Sequence, residues 1–272
     1  MGKFEREETV VMGILAKGAE NITHEDKMVL LSIYQTPFHD SGKIEGIFSC
    51  DSSCHHCGFC QAIRENNADN LLLICNYCYD DEQENRWKNV ENRHGLQLLI
   101  MSSVDFTVEE LSTLGMYGIC RFNSSGDMQN VIMARNYLRM CFSHQSMSFA
   151  LWAKHTAPVI QATDELGKPE NCVYIQSSLF IGIRAKLAKY FDHTFTVYPD
   201  EESLKTALAS GSVECNGKKC KDCGYKCYLR GWPTGCDIAE YLRLSKAAEK
   251  AGMREKIVKA LHEKLAKLAK LF

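Results

Sequence analysis

Ten of the fourteen cysteines stand in three tight groups, and thiols at that spacing are ligands for a metal or a cluster. Cys50, Cys54, Cys57 and Cys60 read C-x3-C-x2-C-x2-C. Cys75 and Cys78 read C-x2-C, and Cys215, Cys220, Cys223 and Cys227 read C-x4-C-x2-C-x3-C. A soft cation or an iron–sulfur cluster needs several thiolates at one point, and short loops bring them there at little entropic cost. Disulfides are the competing use of clustered cysteines, but they suit small exported domains. Met1 to Glu20 is charged and lacks the long apolar run of an export signal, so the thiols are expected to be reduced, in a cytoplasm.

Each group implies its own chemistry. Cys50, Cys54 and Cys57 have the C-x3-C-x2-C spacing of radical S-adenosylmethionine enzymes, where three thiolates leave one iron of a [4Fe–4S] cluster open to the cofactor. His56 stands where many such enzymes have an aromatic residue, and Cys60, Cys75 and Cys78 offer thiolates that would close the open iron. Zinc is the alternative occupant, with His55 and His56 as added donors. Ser124-Ser125-Gly126-Asp127 is the nearest approach to a glycine-rich motif for the cofactor amine, which makes Ser124 and Gly126 candidate S-adenosylmethionine contacts. Cys215, Cys220, Cys223 and Cys227 are self-sufficient. Four thiolates close a site, so this one is structural or electron-transferring, holding a second [4Fe–4S] cluster or zinc. Cys120, Cys141 and Cys172 sit in strand or helix patterns and read as small core residues, with Cys236 a spare ligand.

The elements that must position these groups follow from hydrophobic period. Short β-rich runs at Leu96–Met101, Gly118–Phe122, Ser148–Trp152, Cys172–Gln176 and Thr194–Tyr198 alternate with helical patterns at Thr107–Leu114, Met128–Cys141 and Leu179–Phe191. That alternation predicts an α/β fold with parallel strands. A partial (β/α) barrel with cysteine-rich metal-cluster loops and a C-terminal helix is the first expectation, and an open doubly wound sheet the second. Such folds place ligands just past the carboxyl ends of the strands. There the sequence puts Asp127, Lys154, Gln176 and Ser177, with Arg121 near the mouth, as candidate substrate contacts; helix capping is the competing role for the Ser, Asp and Asn positions.

Composition narrows the class. A net charge of −2 excludes a global basic bias towards nucleic acid, and no apolar stretch approaches the length of a membrane span. Positive charge is local. Lys218, Lys219, Lys221 and Lys226 surround the last cysteines, and from Ser245 onward eight basic residues face three acidic ones. Ile257, Leu261, Leu265, Leu268 and Phe272 recur there at helical spacing. Such segments could meet nucleic acid, or simply dock an apolar stripe on the rest of the chain. The expected organisation is an N-terminal covering segment (1–40), a cysteine-rich partial barrel (41–235) and a basic amphipathic helix (236–272).

Several segments together resemble the phage and mobile-element "gene product eighty-eight" domain proteins. They are Cys75-Asn76-Tyr77-Cys78-Tyr79 with Arg86 and Asn92, then Arg121-Phe122-Asn123-Ser124-Ser125-Gly126-Asp127 and Phe149-Ala150-Leu151-Trp152-Ala153-Lys154. Gly167-Lys168-Pro169-Glu170-Asn171, Gln176-Ser177-Ser178 and the Cys215–Cys227 group complete the series, which spans Gly42 to Tyr228. The resemblance implies a phage or mobile-element setting in bacteria and a distant kinship with radical-enzyme barrels. It carries over no catalytic residue. Three functional classes therefore stay open: an iron–sulfur protein of the radical S-adenosylmethionine type, a zinc- or cluster-stabilised protein that binds nucleic acid or a host factor, and a redox sensor or electron carrier.

Overall fold

Strands here are short and buried on both faces, so their side chains divide between two cores rather than between a core and water. The structure, a computed structural model, describes residues 2–270 apart from Gln35, Ser41 and residues 216–218, and excludes the side chains of Tyr79 and Leu268. Helices α1 (Lys3–Leu15) and α2 (His24–Ile33) precede a hairpin of β1 (Phe38–His39) and β2 (Ile47–Cys50). Then come α3 (Gly58–Asn66), α4 (Tyr79–Arg86), α5 (Lys88–Ser103), the single turn α6 (Val108–Leu111) and β3 (Ile119–Phe122). They are followed by α7 (Val131–Ser143), β4 (Ser148–Ala153), α8 (Thr156–Leu166), β5 (Cys172–Ser177) and β6 (His193–Tyr198). The chain ends with α9 (Glu201–Ala209), β7 (Val213–Glu214), β8 (Asp237–Tyr241), α10 (Lys246–Lys250) and α11 (Met253–Ala269).

The strands form one eight-stranded sheet in the order β1-β2-β3-β4-β5-β6-β8-β7. β1 runs antiparallel to β2, and every other neighbouring pair is parallel. Side-chain alternation sends Phe48, Cys50, Cys120, Phe122, Phe149, Leu151 and Tyr174 into a core shared with the helices. Ile47, Ala150, Trp152, Val173, Ile175 and Ile238 point the other way, onto a second core closed by Cys220, Cys227 and Tyr228. No described helix is long and apolar enough to cross a membrane.

Two segments depart from expectation. Leu96–Met101, expected as a strand, lies inside α5 and buries Gln97, Leu98, Ile100 and Met101. A short apolar run fits either element, and here it continues a helical register begun at Lys88. Leu179–Phe191, expected as a helix, is irregular because other elements take its backbone groups. Ile181 N–H donates to Leu72 O at 2.8 Å, Gly182 N–H to Val197 O at 2.8 Å, and Leu179 O accepts from Ile74 N–H at 3.0 Å. Gly182 adopts φ +69° with a Leu261 methyl where a Cβ would stand, 2.4 Å away, so only glycine passes there. The expected helix at Thr107–Leu114 shrinks to the single turn α6. The segment from 236 onward begins with β8, which hydrogen-bonds β6 and β7; the helical stretch is α10 and α11. Ile257 and Leu261 of α11 pack on Leu72, Ile181 and Leu242, whereas Leu265 is exposed. Phe272 and the Leu268 side chain lie outside the described residues.

Asn136 on α7 fixes where α5 stops. Its side-chain amide donates to the carbonyls of Met101 at 2.9 Å and Val104 at 2.7 Å, and its oxygen accepts from Phe106 N–H at 2.9 Å. Asn136 is fully buried, so Asn136→Ala strands all three groups away from water. Chemical denaturation should show a loss of about 3 kcal/mol.

Glu110 ties α6 to α2. It accepts from Thr107 N–H at 2.8 Å, and lies 3.1 Å from His24 Nδ1 and 3.3 Å from Lys27 Nζ. Burial would raise its carboxyl, but Thr107, His24 and Lys27 together hold it below the usual glutamate range. A lowered carboxylate stabilises the fold above its unfolded pKa and loses that contribution as pH falls through the folded one. Glu110→Gln should therefore be less stable than the parent by about 1 kcal/mol at neutral pH. The two denaturation curves should draw together as pH falls below the ordinary glutamate range.

Candidate metal centre

The loops that leave β2 and β3 are zipped together by hydrogen bonds. Asp51, the first residue past β2, accepts from Ser49 Oγ at 2.7 Å, from Ser125 N–H at 3.1 Å and from Ser124 Oγ. Ser52 N–H donates to Ser125 O at 3.1 Å, and Ser52 Oγ to Asp127 O at 3.1 Å. Gly126, at φ +70°, allows the approach; a Cβ there would lie 2.2 Å from Ser52 Oγ and 2.4 Å from Ser52 O.

Glu84, from α4, holds the next stretch of the first loop. Its carboxylate is almost fully buried and accepts from Ser53 Oγ at 2.8 Å, Cys54 N–H at 3.1 Å, His55 N–H at 3.0 Å and the His94 ring at 3.0 Å. Burial would raise this carboxyl, yet these donors, His94 foremost, keep it below the ordinary range. The arrangement presents Cys54, then Cys57 at the start of α3, then Cys60 one turn on. Cys75 sits in a tight turn at Ile74–Tyr77, and Cys78 immediately precedes α4.

Two thiol pairs form in this region, and Cys75 lies near them. Cys54 Sγ and Cys78 Sγ are 3.8 Å apart. Sharing a proton with Cys54 lowers the Cys78 thiol; Lys154 and the N–H groups of Asp81 and Asp80 add to this against burial. Cys57 and Cys60 form the second pair, with Cys57 lowered by its partner thiol. Cys54, Cys60, Cys75 and Cys78 line one cavity of about 140 Å³ at the carboxyl ends of the parallel strands. Lys154 enters the same cavity, where Asp127, Cys75, Cys60 and Cys78 more than offset the burial that would discharge it, so its ammonium is held well above the usual range. Asp80 is raised to about 8, first by burial and then by Cys78 and Asp51, and is therefore largely protonated at neutral pH. Among the described residues no three His, Cys, Asp or Glu side chains are already converged as a metal set.

The expected residues divide sharply. Cys50 is not at the cavity: it has the parity of Phe48, and its thiol lies in the helix-side core, 3.7 Å from Cys120 Sγ and 3.8 Å from Met140 Sδ. Ser124, Gly126, Asp127, Lys154 and Ser177 all line the cavity. The Asp127 carboxylate, however, is engaged by the N–H groups of Met128 at 2.8 Å, Lys154 at 2.9 Å and His155 at 3.2 Å, besides Lys154 Nζ at 3.5 Å. It positions the loop after β4 rather than facing a ligand. Gln176 is likewise occupied, accepting from Ala188 N–H at 2.8 Å.

In the last cysteine segment, Cys220 and Cys227 are buried in the second core, on the sheet face opposite the helix-side core, Cys215 packs against that core and Cys223 is half-buried. Cys220 N–H donates to Lys43 O at 2.7 Å and Tyr225 OH to Glu45 O at 3.2 Å, so the segment is bound to the β1–β2 turn. Burial raises the Cys227 thiol, and Cys220, Cys215 and Cys223 add to it against Arg121. Lys219 pairs with Glu45 at 2.5 Å and Lys221 pairs with the same carboxylate; Lys218 lies outside the described residues.

The two carboxylates that organise the first loop, Asp51 and Glu84, were not legible as site residues. Glu84 sits in an acidic run that reads as a solvated helix face, and no spacing signal marks it. Comparison with protein-family models, curated proteins and solved structures gives no match.

Gly126→Ala should push the two loops apart. The variant is expected to lose about 2 kcal/mol or more by chemical denaturation, since both the positive φ and the contact with Ser52 oppose a side chain. Gly115→Ala, where a Cβ meets nothing within 4 Å, is the matched control and should be within about 1 kcal/mol of the parent.

Proposed function

We propose that the protein binds an iron–sulfur cluster at the strand ends, held by thiolates from Cys54, Cys60, Cys75 and Cys78 with Cys57 in reserve, beside a cavity for a small ligand. The observation that carries this reading is that those four cysteines line one cavity, with Lys154 among them. Two features fit a thiolate-bound anionic group: the half-buried cations Lys154 and Arg121, and the buried N–H groups of Arg121 Nε and Trp152 Nε1, which have no hydrogen-bond partner. When bound, such a cluster supplies one-electron transfer. The chain's own residues position and shield: Glu84 and Asp51 hold the ligand loop, Asp127 fixes Lys154, and Trp152, Phe195 and Val197 supply an apolar wall.

The radical S-adenosylmethionine version is less well supported. Its triad needs Cys50, whose thiol faces the helices, and four thiolates on one cluster leave no open iron. A partial (β/α) barrel remains our reading of the sheet. Sequential parallel order supports it, as does the ion pair of Lys43, in the β1–β2 turn, with Glu240 of β8 at 2.7 Å, which links strands far apart in that order. The segments that resemble the gene-product-eighty-eight proteins gather at this cavity: Cys75 and Cys78, Arg121 to Asp127, Trp152 to Lys154, and Ser177 with Ser178. We extend the phage or mobile-element setting to the protein on that basis.

One distance favours a second reading. Thiolates around a tetrahedral zinc at about 2.3 Å stand about 3.8 Å apart, closer than those around a four-iron cube, and Cys54 Sγ to Cys78 Sγ is 3.8 Å. Zinc would make the protein a metal-stabilised binder. Its nucleic-acid version is weakened by Lys219 and Lys221, which both pair with the Glu45 carboxylate.

Iron, zinc and acid-labile sulfide on protein purified without oxygen decide between the readings. About four or eight irons per chain with equal sulfide are expected. Cys78→Ser and Cys75→Ser should each lose one cluster's worth, and Cys50→Ser should lose none. Zinc in a colourless solution would establish the second reading, and cleavage of S-adenosylmethionine by the reduced protein would restore the radical one.

A further inference from the structure

His94, on α5, stands between the two buried carboxylates that organise the first cysteine loop. Its Nδ1 is 3.0 Å from Glu84 Oε1, and its Nε2 faces Asp51 Oδ2 at 4.0 Å. A neutral imidazole has one N–H, so it donates to one carboxylate and turns a lone pair towards the other. An imidazolium donates to Glu84 and presents a second N–H, with its charge, to Asp51. The geometry therefore favours the charged ring. Burial would lower His94, but Glu84, Asp51 and Asp80 together hold it above the ordinary histidine range.

The charged neighbours of the ring come from several elements. Glu84 and Asp80 belong to α4, and Asp51 to the loop after β2. His39 of β1 lies 2.8 Å from Ser49 Oγ, which donates to Asp51 at 2.7 Å; burial holds His39 below the ordinary range, so it is the neutral histidine beside Asp51. Arg121 of β3 acts on Asp80. His55, beyond Glu84, is engaged by Asp81 at 3.2 Å and Glu91 at 3.3 Å. Among the described residues, α1 and α7, which also pack on α5, give His94 no hydrogen bond or ion pair.

We propose that His94 is a proton-dependent latch on the loop from Asp51 to Cys57: charged, it bridges Glu84 and Asp51 and holds the loop shut; neutral, it frees the loop and uncovers Cys54 and Cys57. Glu84 transmits the effect. The carboxylate that pairs with His94 also accepts from Cys54 N–H at 3.1 Å, His55 N–H at 3.0 Å and Ser53 Oγ at 2.8 Å. A buried carboxylate that loses its cation must draw in water or a proton, and either competes with those loop donors. Cys54 and Cys57 are both buried in the closed loop, so opening it changes what can reach them. A raised histidine stabilises its folded arrangement fully below its unfolded pKa and loses that contribution as pH rises through the folded one. The latch therefore holds in mild acid and opens as the solution becomes alkaline. Burial, with Cys78, pushes Asp80 up to about 8; its ionisation favours the protonated ring and so delays release without preventing it. The latch concerns the loop alone and does not depend on what the thiols hold.

The test is hydrogen exchange read by mass spectrometry on the full-length protein as purified, from about pH 5 to about pH 9. Exchange at the His94 ring carbon C2 reports its titration, and exchange at the amides of residues 53–57 reports the loop. His94 should titrate above the ordinary histidine range. Loop protection, corrected for intrinsic exchange, should fall about tenfold across that titration, as the loss of a hydrogen bond to a charged group implies. Phe106 N–H, held by Asn136, is the control and should not change. His94→Gln, which keeps a neutral donor, should show the lowered protection at every pH, and Asp51→Asn should lower the His94 midpoint. A His94 midpoint within the ordinary range, loop protection equal at both ends of the titration, or a His94→Gln profile like the parent's overturns the latch. If His94→Gln does not fold, Asp80→Asn decides: the fall in protection should persist there, and its loss assigns the switch to Asp80 and refutes the proposal. Metal content enters none of these signals, so the latch and the cluster reading fail separately.

Discussion

The contact between Ser52 and Gly126 is the constraint on which the rest of the site depends. Parallel strands end side by side, so the loops that leave them must either diverge or interlock. Here the pairing of Cys50 with Phe122 delivers the two loops at the same height, and the missing Cβ at Gly126 lets the Ser52 backbone close on the next turn. Once Ser52 is seated, Asp51 can gather Ser124 and Ser125, and the chain arrives at Cys54 in position for Glu84. The placement of three thiols thus follows from one steric allowance.

Charge is apportioned in a consistent way around the cavity. Asp51, Glu84 and Asp127 are all buried, and all accept from backbone N–H groups; they act as internal caps and leave little negative charge facing the cavity. Asp80 is held protonated by its surroundings. The cations Lys154 and Arg121 are left to balance sulfur. An interior arranged like this is poor at holding a hard, carboxylate-ligated cation and well suited to an anionic thiolate group.

The four central strands β3 to β6 were legible because each is a β-rich run of four to six residues between turn signals. β2 was not: Ile47–Cys50 is buried on both faces, so it shows no alternation, and with it went the parity that sends Cys50 to the helices. The run at Leu96–Met101 fits strand or helix equally, and only its continuity with Lys88 decides. Leu179–Phe191 has helical spacing, but its peptide groups find partners on Leu72, Ile74 and Val197, which no local pattern can announce. Cysteine spacing revealed how many thiols were available and how close in sequence they lie. Which of them share a cavity depends on the face of each element, and that is set by tertiary packing. For the same reason Lys154 and Ser177 were found from strand ends, whereas Glu84 was hidden in an acidic helix.

The segment from Cys215 to Tyr228 has a consequence for the order in which the molecule is built. Its partners lie in the β1–β2 turn, where Lys219 reaches Glu45 across 174 residues, and beyond the segment Glu240 of β8 holds Lys43 of the same turn across 197. Contacts of such separation form late, because the intervening chain must first be ordered. A ribosome releases the early cysteines long before it makes the residues that cover the second core of the sheet. Until then Ile47, Trp152 and Val173 have no lid, and the nascent chain carries reduced thiols on an open, apolar surface. The last fifth of the chain therefore serves as the closing step of assembly, and a truncation before Cys215 would leave this face of the sheet without Cys220, Cys227 and Tyr228.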